Sequence, residues 1–230
     1  MVFSLFVILS CSRPSVVEPD YDPEDIDEVS YIAIDPDGNL KCISIKDSIS
    51  LGSETLLVYQ ERGISFDWNL RAVFTRIPWQ AREFYLDSEE KTAYLEWNGN
   101  HLTGSCWYEG SSTEYIDQDV DDFSLHAWFV WAAFWGLPWH KDNWAVEFDI
   151  VTPDLDVYGY EGIFDGAAMI TNSTGEDTIE CYKLDIDGRG LIGLFAPDIK
   201  LYVRKMAPHI PMYCTVESEG TVLLYYADSL

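Results

Sequence analysis

The chain has 230 residues, of which 47% are hydrophobic and 15% aromatic. That is enough for one large β domain or two small domains, and it excludes intrinsic disorder over most of the length. Forty acidic residues against 14 basic ones give a formal net charge of −26. Such a surface repels nucleic acids and anionic membrane surfaces, so neither is expected as a direct partner. The acidity is typical of a solvated, aggregation-resistant surface; the alternative is a site for cations such as Ca²⁺.

The first 11 residues, MVFSLFVILSC, form an apolar run that ends at a cysteine. The letters ILSC resemble the lipobox of bacterial lipoproteins, in which an aliphatic residue, two further residues and an obligatory Cys mark cleavage and lipidation. This resemblance implies that residues 1–11 are a signal peptide and that Cys11 carries the lipid. It also implies a location in the bacterial cell envelope, facing the periplasm or the exterior. The alternative is an N-terminal strand that ends in Cys, because the run contains no Lys or Arg.

Residues 12–28, SRPSVVEPDYDPEDIDE, contain three prolines, seven acids and few large apolar side chains. Such a composition cannot bury enough surface to offset the entropy of the chain. It predicts an acidic, flexible tether between the anchor and a single domain over residues 29–230.

Four cysteines remain besides Cys11: Cys42, Cys106, Cys181 and Cys214. An even set fits an oxidising compartment and up to two disulfides, with three pairings open. The alternative is a set of buried free thiols in a reducing compartment. No CxxC motif and no Cys/His spacing suggests zinc, so neither a metal nor another cofactor is expected.

From residue 29 the sequence changes to short alternating runs separated by turn residues. In ISFDWNLRAVF, for example, Ile64, Phe66, Trp68 and Leu70 alternate with smaller or polar residues. A period of two residues predicts strands with one apolar face. A dozen or more such runs continue to the C terminus, with one helical pattern between them. They predict a mainly β fold: a single antiparallel, unclosed (half) β-barrel with one buried Trp-rich helix.

The helical pattern lies in LHAWFVWAAFWGLPW, residues 125–139, which hold four of the nine tryptophans. Acidic residues before it and a Gly and a Pro after it predict a helix over residues 123–135. Its length of about 18 Å cannot span a bilayer. Trp128, Trp131 and Trp135 share one face, but the pattern is apolar all round and predicts burial on nearly every side. It indicates either a core helix or a lid whose tryptophans line an apolar cavity.

The order of strands, a buried helix after an acidic turn, and further strands resembles the unclosed-β-barrel proteins of the bacterial envelope. Their best-known members are the lipoprotein-localisation carriers, and uncharacterised periplasmic relatives share the fold. The similarity is most evident in VYGYEGIFDG, GEDTIECYKLDID and APDIKLYVRKM near the C terminus, and it covers about residues 54–227. It implies a half-barrel with a helix across its mouth and an apolar cavity able to hold an acyl chain.

These observations together predict a non-enzymatic envelope lipoprotein that binds or carries a lipid or acyl chain between the curved sheet and the helix. The expected cavity is lined by Phe66, Trp68, Trp128, Trp131 and Trp135. The membrane is contacted through the lipid anchor only, and other envelope proteins are further candidate partners.

The alternative is a glycan-binding or glycan-active envelope protein with a solvent-facing row of aromatics beside carboxylates: Trp97, Trp107, Tyr108 and Tyr115. A third reading is a purely structural partner in envelope assembly, which needs no cavity. The sequence contains no nucleophile elbow, P-loop, zinc-protease motif or dinucleotide fingerprint, and no His is spaced for a triad. No catalytic residue is therefore assigned, and an enzyme is not expected.

Overall fold

The computed structural model describes residues 15–16, 28–34, 40–46, 49–51, 54–63, 68–75, 78–127, 136–171, 178–190, 196–206, 209, 211–216 and 220–226, with side chains between residues 69 and 215. Every element whose bounds fall within these ranges is a β-strand. The strands are β1 (Ser15–Val16), β2 (Glu28–Ile34), β3 (Leu40–Lys46), β4 (Ile49–Leu51), β5 (Glu54–Gly63), β6 (Trp68–Thr75), β7 (Gln80–Ser88), β8 (Lys91–Asn98), β9 (His101–Tyr108), β10 (Glu114–Asp119), β11 (Ser124–His126), β12 (Trp144–Val151), β13 (Val157–Thr171), β14 (Thr178–Gly188), β15 (Ile199–Arg204), β16 (Pro211–Val216) and β17 (Gly220–Tyr226).

The strands form two curled sheets that together make a half-barrel. Sheet I follows the order β11-β12-β13-β14-β15-β16, and sheet II the order β2-β3-β5-β6-β7-β8-β9-β10. Strand β17 joins them: its first residues pair with β16 and its last four with β2. The short β4 pairs with β5, and β1, within the region predicted as a tether, pairs in parallel with β12.

The prediction of a mainly β, half-barrel fold agrees with this architecture, but a single sheet with a Trp-rich helix is wrong. There are two sheets, and residues 124–126, predicted as helical, form β11, which pairs in parallel with β12. All three residues of β11 are buried. Because β11 is only three residues long, its alternation of Ser124, Leu125 and His126 is too short to separate a strand from a helix, and the buried polar residues do not mark an outer face. Residues 128–135 of the predicted helix lie outside the described residues.

The core lies between the two sheets and is built by alternation along each strand. In β8, Ala93, Leu95 and Trp97 are buried, whereas Tyr94 and Glu96 point outward. In sheet I, buried residues also recur at every second position in β12 and β15. One continuous apolar cluster results, with Phe84, Leu95 and Leu102 from sheet II and Phe148, Leu184 and Leu201 from sheet I among its members.

The three cysteines whose side chains are described, Cys106, Cys181 and Cys214, are free and buried. Two disulfides among the four predicted candidates are therefore not formed. Cys181 and Cys214 lie on β14 and β16, with β15 between them. Two strand spacings amount to about 10 Å, beyond the reach of a disulfide. Burial raises the pKa of Cys181 to about 12 and also raises the pKa of Cys214.

Among the described residues, there is no helix that is long and apolar enough to cross a membrane.

Gly104 on β9 marks a close approach between β8 and β9. It lies opposite Leu95. A Cβ at this position would lie 2.7 Å from Leu95 Cδ2 and nearer still to the carbonyl oxygen of Tyr94. The conflict with a backbone atom cannot be relieved by a side-chain rotation, so the two strands approach this closely only because the residue is glycine.

We expect Gly104→Ala to lower the free energy of unfolding by about 3 kcal/mol, the upper part of the usual range for overpacking. The matched control is Ser105→Ala on the opposite face of the same strand, which should stay within about 0.5 kcal/mol of wild type. Urea unfolding of both variants measures the difference. Equal stabilities would show that the two strands do not approach this closely.

Candidate functional site

The residues predicted to line the cavity lie at the edge of what the structure describes. Phe66, Trp128, Trp131 and Trp135 are outside the described residues, and Trp68 begins β6 without a described side chain. Cys11 is likewise outside them. Their grouping into one cavity therefore stays a prediction, and the described residues around them define the candidate site.

The Trp-rich segment, residues 128–135, begins and ends at the core. Before it, Leu125 and His126 in β11 are fully buried; after it, Leu137 and Trp139 are also buried. Leu125, Leu137 and Trp139 all belong to the continuous apolar cluster between the sheets. The chain thus enters and leaves this segment through the interior of the half-barrel.

Aromatic side chains at the end of this segment form a layer on the inner side of sheet I, which we call the aromatic floor: Trp139, Trp144, Phe164 and Tyr182. The Trp139 ring stacks on Tyr182, with centroids 5.9 Å apart, and meets Trp144 edge-on at 5.4 Å. Phe164 stacks on Trp144 at 5.5 Å. The two tryptophans are buried, whereas Phe164 and Tyr182 are only half-buried. The floor therefore combines a fixed base with aromatic surface still available for packing.

Sequence reasoning did not assign the floor to the cavity. Trp144 opens an alternating run, WAVEFDIV, in which Trp144, Val146, Phe148 and Ile150 are buried. That alternation indicates an inward-facing Trp144. Nothing in the local sequence, however, indicates that Trp139, which precedes β12, packs on Tyr182. Tyr182 lies on β14, which is separated from β12 by β13.

A polar cluster bridges the two sheets at the turn between β12 and β13. Lys91 of β8 donates from Nζ to the carbonyl oxygen of Pro153 at 2.8 Å and to the Tyr108 hydroxyl. Tyr108 in turn donates to Asp154 Oδ1 at 2.7 Å. Burial lowers the pKa of Lys91, and burial together with Asp154 raises the pKa of Tyr108. The cluster binds a turn of sheet I to two strands of sheet II.

A second cluster fixes the chain where it crosses from β10 to β11. The Arg189 guanidinium lies 3.1 Å from Glu147 Oε2 and 3.2 Å from Asp149 Oδ1, and it also contacts Asp121. Asp149 Oδ2 accepts a hydrogen bond of 2.8 Å from the backbone N–H of Asp121. Burial raises the pKa of Asp149. The crossover before the Trp-rich segment is thus held by one cation and three carboxylates.

The four aromatics of the glycan alternative do not form one solvent-facing row. Trp97 is buried and donates from Nε1 to Ser124 Oγ at 2.8 Å. Tyr108 is half-buried in the bridge between the sheets. Trp107 and Tyr115 are exposed on sheet II, at 37% and 79% of their surface. Within the described ranges, no three His, Cys, Asp or Glu side chains are grouped to hold a metal ion.

Comparison with known proteins gives a likeness to solved structures only. No protein-family model matches the chain, and no curated protein matches it. Among solved structures, a beta-barrel-like protein of the domain of unknown function DUF1849 from Brucella abortus is similar, with a TM-score of 0.45 and 7% sequence identity. The alignment covers 92% of this chain and 98% of that chain.

His126 of β11 lies directly before the Trp-rich segment and is neutral in the fold. Its ring is stacked on Phe84 with centroids 4.0 Å apart. Burial, with a contribution from the charge of Lys91, lowers the pKa of His126 to about 3. The folded protein therefore resists a proton that the unfolded chain accepts near pH 6.5.

This pKa predicts acid sensitivity. The stability due to neutral His126 is complete above about pH 6.5 and is lost as the pH falls toward the folded pKa. Between pH 7 and pH 5 the loss should be about 2 kcal/mol. In His126→Gln this part of the loss should disappear. Urea unfolding of both proteins at the two pH values measures it, and an identical loss in both would show that His126 is protonated in the fold.

Proposed function

We propose that the protein is a non-enzymatic binding protein of the bacterial cell envelope whose ligand is apolar, a lipid or acyl chain. The ligand is held between the aromatic floor and the Trp-rich segment. One observation carries this proposal: half-buried aromatic rings lie on the inner side of sheet I, beside the point where the Trp-rich segment returns to the core.

The floor has the chemistry of an apolar binding surface. Small-molecule sites are mostly apolar and aromatic, with a few polar groups that orient the ligand. Phe164 and Tyr182 supply the apolar part, and the His209 ring lies 5.8 Å from Tyr182 at one side. Each 100 Å² of apolar surface removed from water here would contribute about 2.5 kcal/mol to binding.

The crossover contacts support a role for the segment as a cover over this surface. Arg189 fixes the chain at Asp121, before β11, and Trp139 fixes it after the segment. A cover needs two fixed ends, because only the part between them then rearranges when a ligand enters. The proposal assigns the tryptophans at 128, 131 and 135 to that cover.

Native mass spectrometry of the protein, purified without detergent from the periplasm of a bacterial host, tests the ligand. We expect a retained mass in the range of a lipid. Tyr182→Ala should reduce the occupied fraction, because it removes one ring of the floor. The matched control is Tyr202→Ala, a half-buried tyrosine that contacts Tyr213 on the other face of sheet I. That control should retain the ligand.

A variant with Trp128 and Trp131 both changed to Ala tests the cover in the same experiment, and it should also lose the retained mass. A clean apo mass in the wild-type protein, with its tryptophans still protected from acrylamide quenching, contradicts the proposal. The segment would then be part of the core only.

The envelope location is a separate part of the proposal and rests on the lipobox-like residues before Cys11. Cys11→Ser should release the protein from the membrane fraction of a bacterial host into the soluble periplasmic fraction, since it removes the thiol to which the proposed lipid is attached. Fractionation with immunoblotting measures the change. A variant that stays in the membrane fraction contradicts the anchor without bearing on the ligand.

A further inference from the structure

Three exposed tyrosines form a row across the outer face of sheet II. The strand register places Tyr85 of β7 directly opposite Tyr94 of β8. Ser105 of β9 lies between Tyr94 and Tyr115 of β10. The tyrosines expose 41%, 43% and 79% of their surface, in that order. We call Tyr85, Tyr94 and Tyr115 the tyrosine row; it lies on the face opposite the core and away from the aromatic floor.

Carboxylates lie beside the tyrosine row on the same face, each two residues along its strand from a tyrosine of the row. Glu83 lies directly opposite Glu96, and Thr103 separates Glu96 from Asp117. Like charges placed directly opposite each other destabilise a sheet. Arg71 relieves part of this repulsion, with Nη1 3.0 Å from Glu83 Oε2. Glu96 accepts a long hydrogen bond of 3.4 Å from the Tyr94 hydroxyl.

We propose that this face of sheet II docks a segment of a protein partner that is rich in Arg and Lys. A cation that rests on a tyrosine ring gains from the ring's negative face and from a carboxylate beside it. Tyr94 with Glu96, and Tyr115 with Asp117, offer this combination on β8 and β10. The Asp117 carboxylate also lies 3.0 Å from His101 Nε2, and its second oxygen remains for a cation of the partner. The net charge of −26 attracts such a partner over a longer range and orients its approach.

The spacing of the row suggests how the segment lies. Tyr94 and Tyr115 are separated by β9, so their strands are about 10 Å apart. An extended polyproline-II segment advances about 3.1 Å per residue and returns to the same side every third residue. A segment that crosses the strands therefore sets cationic side chains at positions i and i+3 on the two rings. This surface is independent of the interior ligand proposed above.

The test is a titration of the full chain with a Pro-rich nonapeptide that carries Arg at every third position, followed by fluorescence anisotropy at physiological ionic strength. The same peptide with Gln for Arg is the ligand control and should not bind. In the protein, Tyr94→Ala with Tyr115→Ala should weaken binding by about fivefold or more, because two cation–π contacts are lost. Tyr94→Phe with Tyr115→Phe keeps both rings and should bind as wild type does.

Two double variants that remove equal charge distinguish binding at this face from nonspecific attraction by the net charge of the chain. Glu96→Gln with Asp117→Asn removes two charges beside the row and should weaken binding by about fivefold or more. Asp142→Asn with Asp198→Asn removes two exposed charges elsewhere and should weaken it less than about twofold. Thermal unfolding confirms that each variant is folded.

Two results would overturn the proposal. Equal weakening by the two charge variants, with no effect of the ring variants, would leave only nonspecific attraction. Binding of a neutral oligosaccharide such as cellohexaose, abolished by Tyr94→Ala with Tyr115→Ala while the Arg peptide fails to bind, would make the row a sugar platform.

Discussion

The arrangement of the two sheets depends on how the chain crosses from one to the other between β10 and β11. Asp121 in that crossover is held by Arg189, which follows β14, and by the carboxylate of Asp149 in β12. A half-buried guanidinium without its carboxylates would be costly, and so would the carboxylates without it. Arg189 therefore fixes one joint of the half-barrel, and Lys91, through the carbonyl of Pro153, fixes another. Between these joints the apolar inner faces of the sheets meet.

Because successive side chains of a strand point to opposite faces, one strand carries two unrelated surfaces. In β8 the residues at 93, 95 and 97 complete the core, whereas Tyr94 and Glu96 between them build the outer face. A shift of register by one residue would exchange the two sets and destroy both surfaces. The close approach of β8 to Gly104 and the hydrogen bond from Trp97 to Ser124 oppose such a shift. The interior proposal and the outer-face proposal thus depend on the same register.

Local alternation predicted many of the strands, because each buries one face and the side-chain period of two is visible in the sequence. It failed at residues 124–126, where the strand is only three residues long and its polar residues, Ser124 and His126, are buried together with Leu125. The contacts that join the sheets could not be predicted from the sequence either. Arg189 and Asp121 are 68 positions apart, and nothing local to either residue indicates the pairing. For the same reason Lys91 gives no sign in the sequence of being buried. The cavity residues predicted from the sequence came from the Trp-rich segment and from the alternating run that contains Phe66 and Trp68, whereas the floor comes from three other strands and a loop.

The excess of acidic residues makes each ion pair more important for the stability of the fold. With 14 basic residues for 40 acidic ones, most carboxylates have no cation to pair with. The cations that contact carboxylates in the described structure include Arg189 at the crossover and Lys183 between Asp165 and Asp185. Such pairs keep neighbouring strands together against the repulsion that a net charge of this size imposes on the compact state. Glu83 and Glu96, directly opposite each other, retain part of that repulsion at the surface. A cationic partner would relieve it, and the same contact would stabilise the sheet on which it docks.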